Sequence, residues 1–431
     1  MKTVAFVPVK GTSSRVPNKN TRIFNGEPFF LFTVRKLLRC KEIDEVYVDS
    51  EEDTILEMAA KAGAKPLKRD KALADNKTDG HKLFFNEVSQ VDADVYIQHL
   101  CTSPFIKEST IREAITIVEK GEADSAILAK KDKLYVWQDE WPTYNVDKIP
   151  NSIDLPDTIT EAMGLYVVEK HAAHTLQRRI GKKPKLVFGE PIELVDVNTE
   201  DDLKLAHTIA AGILAEEEKK LRLLGRFLST PIVSDVLDDM GILSVLASGY
   251  MPNIAGAKMF GRARTLHLRK FKDGDNPDGI YDALKSYKEV VSNDIIVVQN
   301  DLPQFAYFGE LNMSLAIRSG AIGAIISGVT RDSAGTSSSD FPVFAKGSYC
   351  RDIKGRGVVE SINRPICIDG VMINPNDLIL ADQDGIVVIP RTHEEVVLKE
   401  SIKKLGNEAS ILSDVCDDAE VEGLVDKFGF F

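Results

Sequence analysis

The stretch VPVKGTSSRVPNKN, Val7 to Asn20, stands on the end of a short apolar run and governs how the first half of the chain is read. The run, Val4–Val9, reads as a buried strand rather than as part of a leader segment. Behind it Lys10, Arg15 and Lys19 are spaced among Gly11, Thr12, Ser13 and Ser14. Small residues let backbone N–H groups approach a polyphosphate, and three separated cations neutralise it. The same residues also describe a plain basic surface loop, and the loop alone does not choose between the two.

Working outward, strand and helix signals alternate. Pro28–Arg39 reads as a helix, Glu45–Asp49 as a strand, and Ile55–Ala62 as a helix closed by Gly63. Val95–His99 is a further buried strand and Thr110–Glu119 a further helix. Alternation at this spacing predicts a mainly parallel sheet covered by helices on both faces. Ligands of such sheets bind beyond the carboxyl ends of the strands. That directs attention to the loops after Val9 and after Gln98.

A charged helix over Asp201–Leu221 ends the first half, with its bridge near 216–224. We therefore expect two α/β domains, 1–218 and 222–431. In the second, Asp294–Val298, Ala324–Ile326, Val358–Val359, Leu378–Ile379 and Ile386–Ile389 read as strands, and Gly309–Ser319 as a helix.

The net charge of −12 argues against broad nucleic-acid binding, which leaves a basic footprint. A few local cations can still hold a small anion within an acidic protein. The five cysteines are scattered with no CxxC pair, which fits reduced thiols in a cytoplasmic protein. No apolar run approaches the roughly 18 residues a membrane helix needs, so no membrane partner is expected.

The Val7–Asn20 loop resembles the nucleotide-binding signature of the sialic-acid and Kdo cytidylyltransferases, roughly P-A-R-x-G-S-x-R-x-P-x-K-N. Here it stands as Pro8, Lys10, Gly11, Ser13, Arg15, Pro17, Lys19 and Asn20. Further pieces follow in the family's order. They are Gly26-Glu27-Pro28, Val48–Ile55, Leu73-Ala74-Asp75, the Thr102-Ser103-Pro104 turn, Gly164-Leu165-Tyr166 and Val195–Ala206. The resemblance covers about 1–215. It implies a Rossmann-like nucleotidyltransferase domain that moves CMP from CTP to an acidic 2-keto sugar.

By that resemblance Lys10, Arg15 and Lys19 are catalytic, steadying the phosphates and the leaving pyrophosphate. Pro8, Gly11, Ser13, Asn20, Thr102 and Ser103 bind the nucleotide. Asp196 and Asn198 hold Mg2+ or another divalent cation, since a hard cation prefers oxygen ligands. Three positions depart from the pattern. Lys10 stands where the family has Arg, and the two differ at a bidentate phosphate contact. Asn198 replaces the second carboxylate of a D-x-D pair. The family's Q-P-T-S-P turn stands as His99-Leu100-Cys101-Thr102-Ser103-Pro104, which leaves Gln98 as the nearest amide or the contact missing. Read without the resemblance, Asp196 is a loop carboxylate near a helix cap, a role that Thr199 and Asp202 could share. His81 and His99 read as structural.

The second half carries its own pattern, GELNMSLAIRSGAIGAIISGVTRD over Gly309–Asp332. An Arg-Asp pair alone is weak, since most such pairs lie on the surface. The order of Ser234–Asp238, Phe260–Ala263, Gly309-Glu310-Leu311, Gly328–Asp332, Phe341–Gly347 and Ala381–Pro390 resembles the RraA-like family. That family includes metal-dependent 4-hydroxy-4-methyl-2-oxoglutarate aldolases and oxaloacetate decarboxylases, and also a non-enzymatic regulator. The resemblance, over about 222–400, implies a RraA-like α/β domain. In it Arg331 is catalytic, Asp332 holds a divalent metal, and the backbone around Glu310, Leu311 and Asn312 binds a 2-oxo acid. The aldolase pattern expects an acid three residues after the Asp, where this chain has Gly335. Asp382 and Asp384 read as a structural turn. Both families form oligomers, so a homo-oligomer is expected.

Overall fold

The computed structural model describes residues 1–13, 15–75, 78–276, 278–416, 420, 423, 424 and 427, so Ser14 of the loop lies outside the described residues. The chain divides into two compact units, Met1–Ala210 and Ala211–Phe431. The helix expected over Asp201–Leu221 runs without a break from Glu200 to Phe227.

The first unit is built on seven strands: β1 Thr3–Pro8, β2 Glu45–Ser50, β3 Lys65–Lys68, β4 Val95–His99, β5 Ser125–Asp132, β6 Thr158–Glu169 and β7 Pro184–Phe188. Their order across the sheet is β7-β5-β6-β4-β1-β2-β3. β1 lies between two parallel neighbours, with Val4 to Val7 fully buried, which is why its sequence reads as continuous apolar residues rather than alternation. β6 alone runs antiparallel, against both β4 and β5. Its first half, Thr158 to Met163, is partly or fully exposed, so it lacks the apolar run by which the inner strands were recognised.

Helix α1, Phe29–Arg39, buries Phe30, Val34 and Leu37 against one face of this sheet. Helix α2, Asp53–Ala62, ends where expected, with Gly63 in the left-handed region at φ 100°. Helix α3, Gly80–Val88, packs Phe84 and Val88 with Phe6 and Tyr96 on the other face. The parallel strands β1, β2, β3 and β4 bring the segments after Pro8, Ser50, Lys68 and His99 to one edge.

The second unit holds an eight-stranded sheet. Its central strand is the 12-residue Met259–Lys270. One side of that strand pairs in parallel with Asp294–Asn300. On the other side Leu378–Ala381 takes its first residues and Gly357–Ile362 its last, both antiparallel. Parallel pairing continues from Asp294–Asn300 to Gly323–Ile326 and on to Val343–Ala345. The loops leaving these parallel strands carry the Gly309–Asp332 pattern. Asp382 accepts from the backbone N–H of Thr230 at 2.9 Å and from its hydroxyl at 2.5 Å, which secures the start of the Thr230–Asp239 helix. That is the structural turn expected there.

Two candidate sites at the strand ends

In the first unit the loop folds back on itself and onto the segment before the long helix. The Asn20 amide donates to the carbonyl of Lys10 at 2.8 Å, closing the loop into a ring. Lys19, buried, donates from Nζ to the carbonyl of Val197 at 2.6 Å. Arg15 donates to Asn198 Oδ1 at 2.8 Å, and the Asn198 amide nitrogen donates in turn to Asp196 Oδ2. Arg15, Lys19, Asn20, Asp196 and Asn198 are thus brought together from positions some 180 residues apart.

In this geometry Asn198 joins the loop to Asp196 with both ends of its amide. The helix cap falls to others: Asp202 accepts from the N–H groups of Asn198 and Thr199, and Thr199 accepts from that of Asp202. Asp196 is therefore left out of the cap. Burial lowers the Lys19 ammonium below its ordinary range, against the opposing pull of Cys101 and Asp196. Burial also pushes the Cys101 thiol up to about 11, so it stands as a neutral wall beside Asn20.

Thr102 supplies the carbonyl that takes the Val197 N–H at 2.8 Å. Ser103 is buried against Gly164, where a Cβ would fall 2.6 Å from the Ser103 hydroxyl. Ser13 accepts from the Val16 N–H at 3.3 Å. Gly11 has a different explanation from the one expected. Its N–H donates to Glu51 Oε1 at 2.8 Å, and a Cβ there would meet Glu52 Cγ at 2.1 Å. Its small size serves the approach of the Glu51-Glu52 segment.

Gln98 is fully buried, with its amide taken up by Glu87 at 2.6 Å and by Arg179 at 3.1 Å. His99 is fully buried as well, and burial lowers it to about 3, so it stands neutral. His81 accepts the backbone N–H of Arg179 at 3.2 Å. Sequence reasoning missed Arg69, which is 4% exposed and reaches the carbonyl of Val9 at 3.0 Å. Its position after a short polar strand gave no signal of that reach.

In the second unit Arg331 and Asp332 face Gly309. The N–H of Glu310 donates to Asp332 Oδ2 at 3.3 Å, and Arg331 Nε lies 3.6 Å from the same oxygen. A Cβ at Gly309 would fall 2.4 Å from Asp332 Oδ2, so the glycine is what lets the carboxylate reach the helix start. Asp332 itself holds a left-handed backbone, φ 58°, a strained conformation of the kind stored at functional turns. Helix Glu310–Ser319 begins here, and the first-turn N–H groups of Leu311 and Asn312 have no acceptor within the helix.

Arg331, Asp332, Asn312 and Leu311 line an open cleft of about 460 Å³. Asp352 lies in it too and forms an ion pair with Arg331 Nη1. Nothing in the pattern Arg351-Asp352-Ile353 marked that residue in the sequence. Tyr281 and Leu284, each nearly half exposed, add apolar surface to the lining of the cleft.

Among the described residues no group of three or more His, Cys, Asp and Glu side chains is arranged to hold a metal ion. No helix among them is long and apolar enough to cross a membrane.

Comparison with known proteins follows the same division. Residues 230–388 match the RraA-like family, described as Aldolase/RraA, and residues 4–179 match a cytidylyltransferase family. A Halalkalibacterium halodurans protein named to the 4-hydroxy-4-methyl-2-oxoglutarate aldolases is 34% identical over 181 residues, which is 42% of this chain and 80% of that protein. The pseudaminic acid cytidylyltransferase of Campylobacter jejuni is 32% identical over 121 residues, 26% of this chain and 52% of the relative. On that side the chain spans about half the relative's length. The crystal structure of Streptomyces coelicolor RraAS2 is 24% identical, covers 44% of this chain and 93% of its own, and has a TM-score of 0.41. The chain belongs to the Aldolase/RraA family through its second unit, and its first unit is similar to the cytidylyltransferases.

Proposed function

We propose that the first unit transfers CMP from CTP to an acidic 2-keto sugar. The acceptor hydroxyl oxygen bonds to the α-phosphorus and gives up its proton to solvent, the bond from that phosphorus to the bridging oxygen breaks, and pyrophosphate leaves. The observation that carries this reading is the hydrogen-bonded line Arg15–Asn198–Asp196, with Lys19 tied beside it to Val197. It sets cations and one carboxylate around a single mouth at the strand ends, where phosphoryl transfer needs positioning and charge stabilisation.

Asp196 fits a hard divalent cation in kind, as a carboxylate facing the loop, and Mg2+ is commonly held by one or two carboxylates together with substrate phosphates. Such a cation would neutralise charge on the phosphate oxygens. Arg15 and Lys19 would meet the polyphosphate, and Lys19 also holds the segment that bears Asp196 through the Val197 carbonyl. CTP with a panel of sugar acids, assayed for released pyrophosphate, tests the reading. No release with any acceptor refutes it.

For the second unit we propose cleavage or decarboxylation of a 2-oxo acid. The first-turn N–H groups of Leu311 and Asn312, with Arg331, would take the carboxylate. Asp332, with Glu310 beside it, offers oxygen donors suited to a divalent cation, which would supply polarisation of the substrate carbonyl. One observation favours a non-catalytic assembly or regulatory role instead: Arg331 is already paired with Asp352. Pyruvate release from 2-oxo acid aldols and from oxaloacetate, by the parent and by Asp332→Ala, separates the two. Equal rates remove Asp332 from any mechanism. We also propose a homo-oligomer, supported by exposed apolar side chains such as Trp137, Trp141 and Ile153 on the connection between β5 and β6.

A further inference from the structure

Behind the nucleotide loop lies a group of buried charges to which the proposed reaction assigns no part. Arg69 is 4% exposed, and its Nη2 donates both to the Val9 carbonyl at 3.0 Å and to Glu51 Oε2 at 2.9 Å. The other oxygen of Glu51 accepts the Gly11 N–H at 2.8 Å. Arg69 Nη1 stands 3.5 Å from Asp49, which is fully buried. The loop is therefore gripped on both sides of Lys10, at the Val9 carbonyl and at the Gly11 amide, by one guanidinium and the carboxylate it orients.

The alternative is a purely structural ion pair, and two features weigh against it. A buried pair in a core adds little net stability over apolar residues of the same size. Here the polar atoms also end on the backbone of the loop itself. A cation on the carbonyl and a carboxylate on the amide fix the orientation of the two peptide units that flank Lys10. Neither contact uses the Lys10 side chain.

We propose that Arg69 and Glu51 are positioning residues of the nucleotide site, acting as one unit that aims the start of the phosphate loop. The inference rests on the reading of the first unit as a CTP-dependent transferase. Glu51 places a negative charge close to where phosphates would lie, and Arg69 offsets it. Loss of either partner alone thus misdirects the loop, and loss of Arg69 also leaves Glu51 repelling the nucleotide.

The test is a double-mutant cycle on the full chain, read by calorimetric titration with CTP in magnesium buffer and by urea denaturation. Arg69→Lys and Glu51→Gln should each weaken CTP binding at least tenfold under conditions in which the urea curves show the variant still fully folded. The double variant should bind no more weakly than the worse single one, because the two act through one contact. Glu51→Asp, which keeps the charge, should recover part of the affinity. Binding within twofold of the parent in both single variants, or fully additive losses, overturns the proposal. If Arg69→Lys does not fold, the Glu51 variants decide alone by the same criterion. A parent protein that binds no CTP instead overturns the reading of the whole unit, and the inference with it.

Discussion

Gly335 stands against the carboxylate of Glu310: a Cβ at position 335 would fall 2.6 Å from Glu310 Oε2. The position where the aldolase pattern carries an acid is therefore empty because another acid, from the start of helix Glu310–Ser319, fills the space. Gly335→Ala should leave the fold intact, since the displaced atoms are the end of a flexible side chain. It should still move the carboxylate. If the cleft is catalytic, 2-oxo acid turnover falls by about tenfold or more, the cost typical of disturbing a group that supports a metal ligand. Glu310→Gln should behave alike. Unchanged turnover in both would detach Glu310 from the chemistry.

Asp352 holds Arg331, but both side chains are more than a third exposed. A pair so placed is worth about 1 kcal/mol at most, a factor of about five. Asp352→Asn should thus lower the KM for oxaloacetate by up to about fivefold as Arg331 becomes available to the substrate carboxylate. A raised KM would show that Asp352 itself serves the substrate.

Lys19 joins two elements as well as supplying charge. Lys19→Met should cut pyrophosphate release by about a hundredfold or more, the range seen when one fixed electrostatic donor is removed. It should also loosen the Val197 segment, visible as faster amide exchange at Val197 and Asn198. Full activity in this variant would remove Lys19 from the mechanism.

Lys36 is buried and holds the carbonyls of Pro104 and Ile106 at 2.5 and 2.6 Å, just after the Thr102-Ser103 turn. Burial lowers it to about 7, with the neighbouring Arg39 adding to the effect. The unfolded chain keeps the proton up to about pH 10.5, whereas the folded chain releases it near 7. The penalty for a buried charge is thus fully present below pH 7 and fades as pH rises from 7 to 10.5. Relative to Lys36→Met, the parent should gain stability across that window, at most about 1.4 kcal/mol per pH unit. Urea midpoints of the two proteins at pH 6, 7, 8 and 9 measure it. A constant difference would mean that Lys36 keeps an ordinary titration.

Trp137 and Trp141 are 61% and 66% exposed on a short two-stranded hairpin. If they meet a second copy, Trp141→Glu should lower the mass measured by light scattering while pyrophosphate release per chain remains measurable. An unchanged mass would place the contact elsewhere.

Much of this molecule was legible in its sequence, for a physical reason. Val4–Val9 carries an inner parallel strand and Ile386–Ile389 is an antiparallel strand at the end of its sheet, but Val4 to Val7 and Ile386 to Ile389 are all fully buried, so both announce themselves as apolar runs. β6 does not, because half of it is exposed and its register shifts between Glu161 and Tyr166. The loop cations and Asp196 could be named because they sit in one short segment each. Arg69, Glu51 and Asp352 act through contacts made only after folding, and no local spacing encodes which backbone a guanidinium will reach. Gly11 shows the same limit from the other side: its place in the loop was legible, but the demand on its size comes from Glu52.

The amide of Asn198 has a polarity that a carboxylate lacks. With an acceptor end on Arg15 and a donor end on Asp196, it closes the mouth of the site using the chain's own atoms. An aspartate there would still attract Arg15, but it would repel Asp196 until a cation came between them. One nitrogen in place of one oxygen thus makes the loop and the carboxylate-bearing segment a standing assembly. A nucleotide bound as proposed would meet a mouth already drawn together, and a divalent cation would be left only the phosphates to serve.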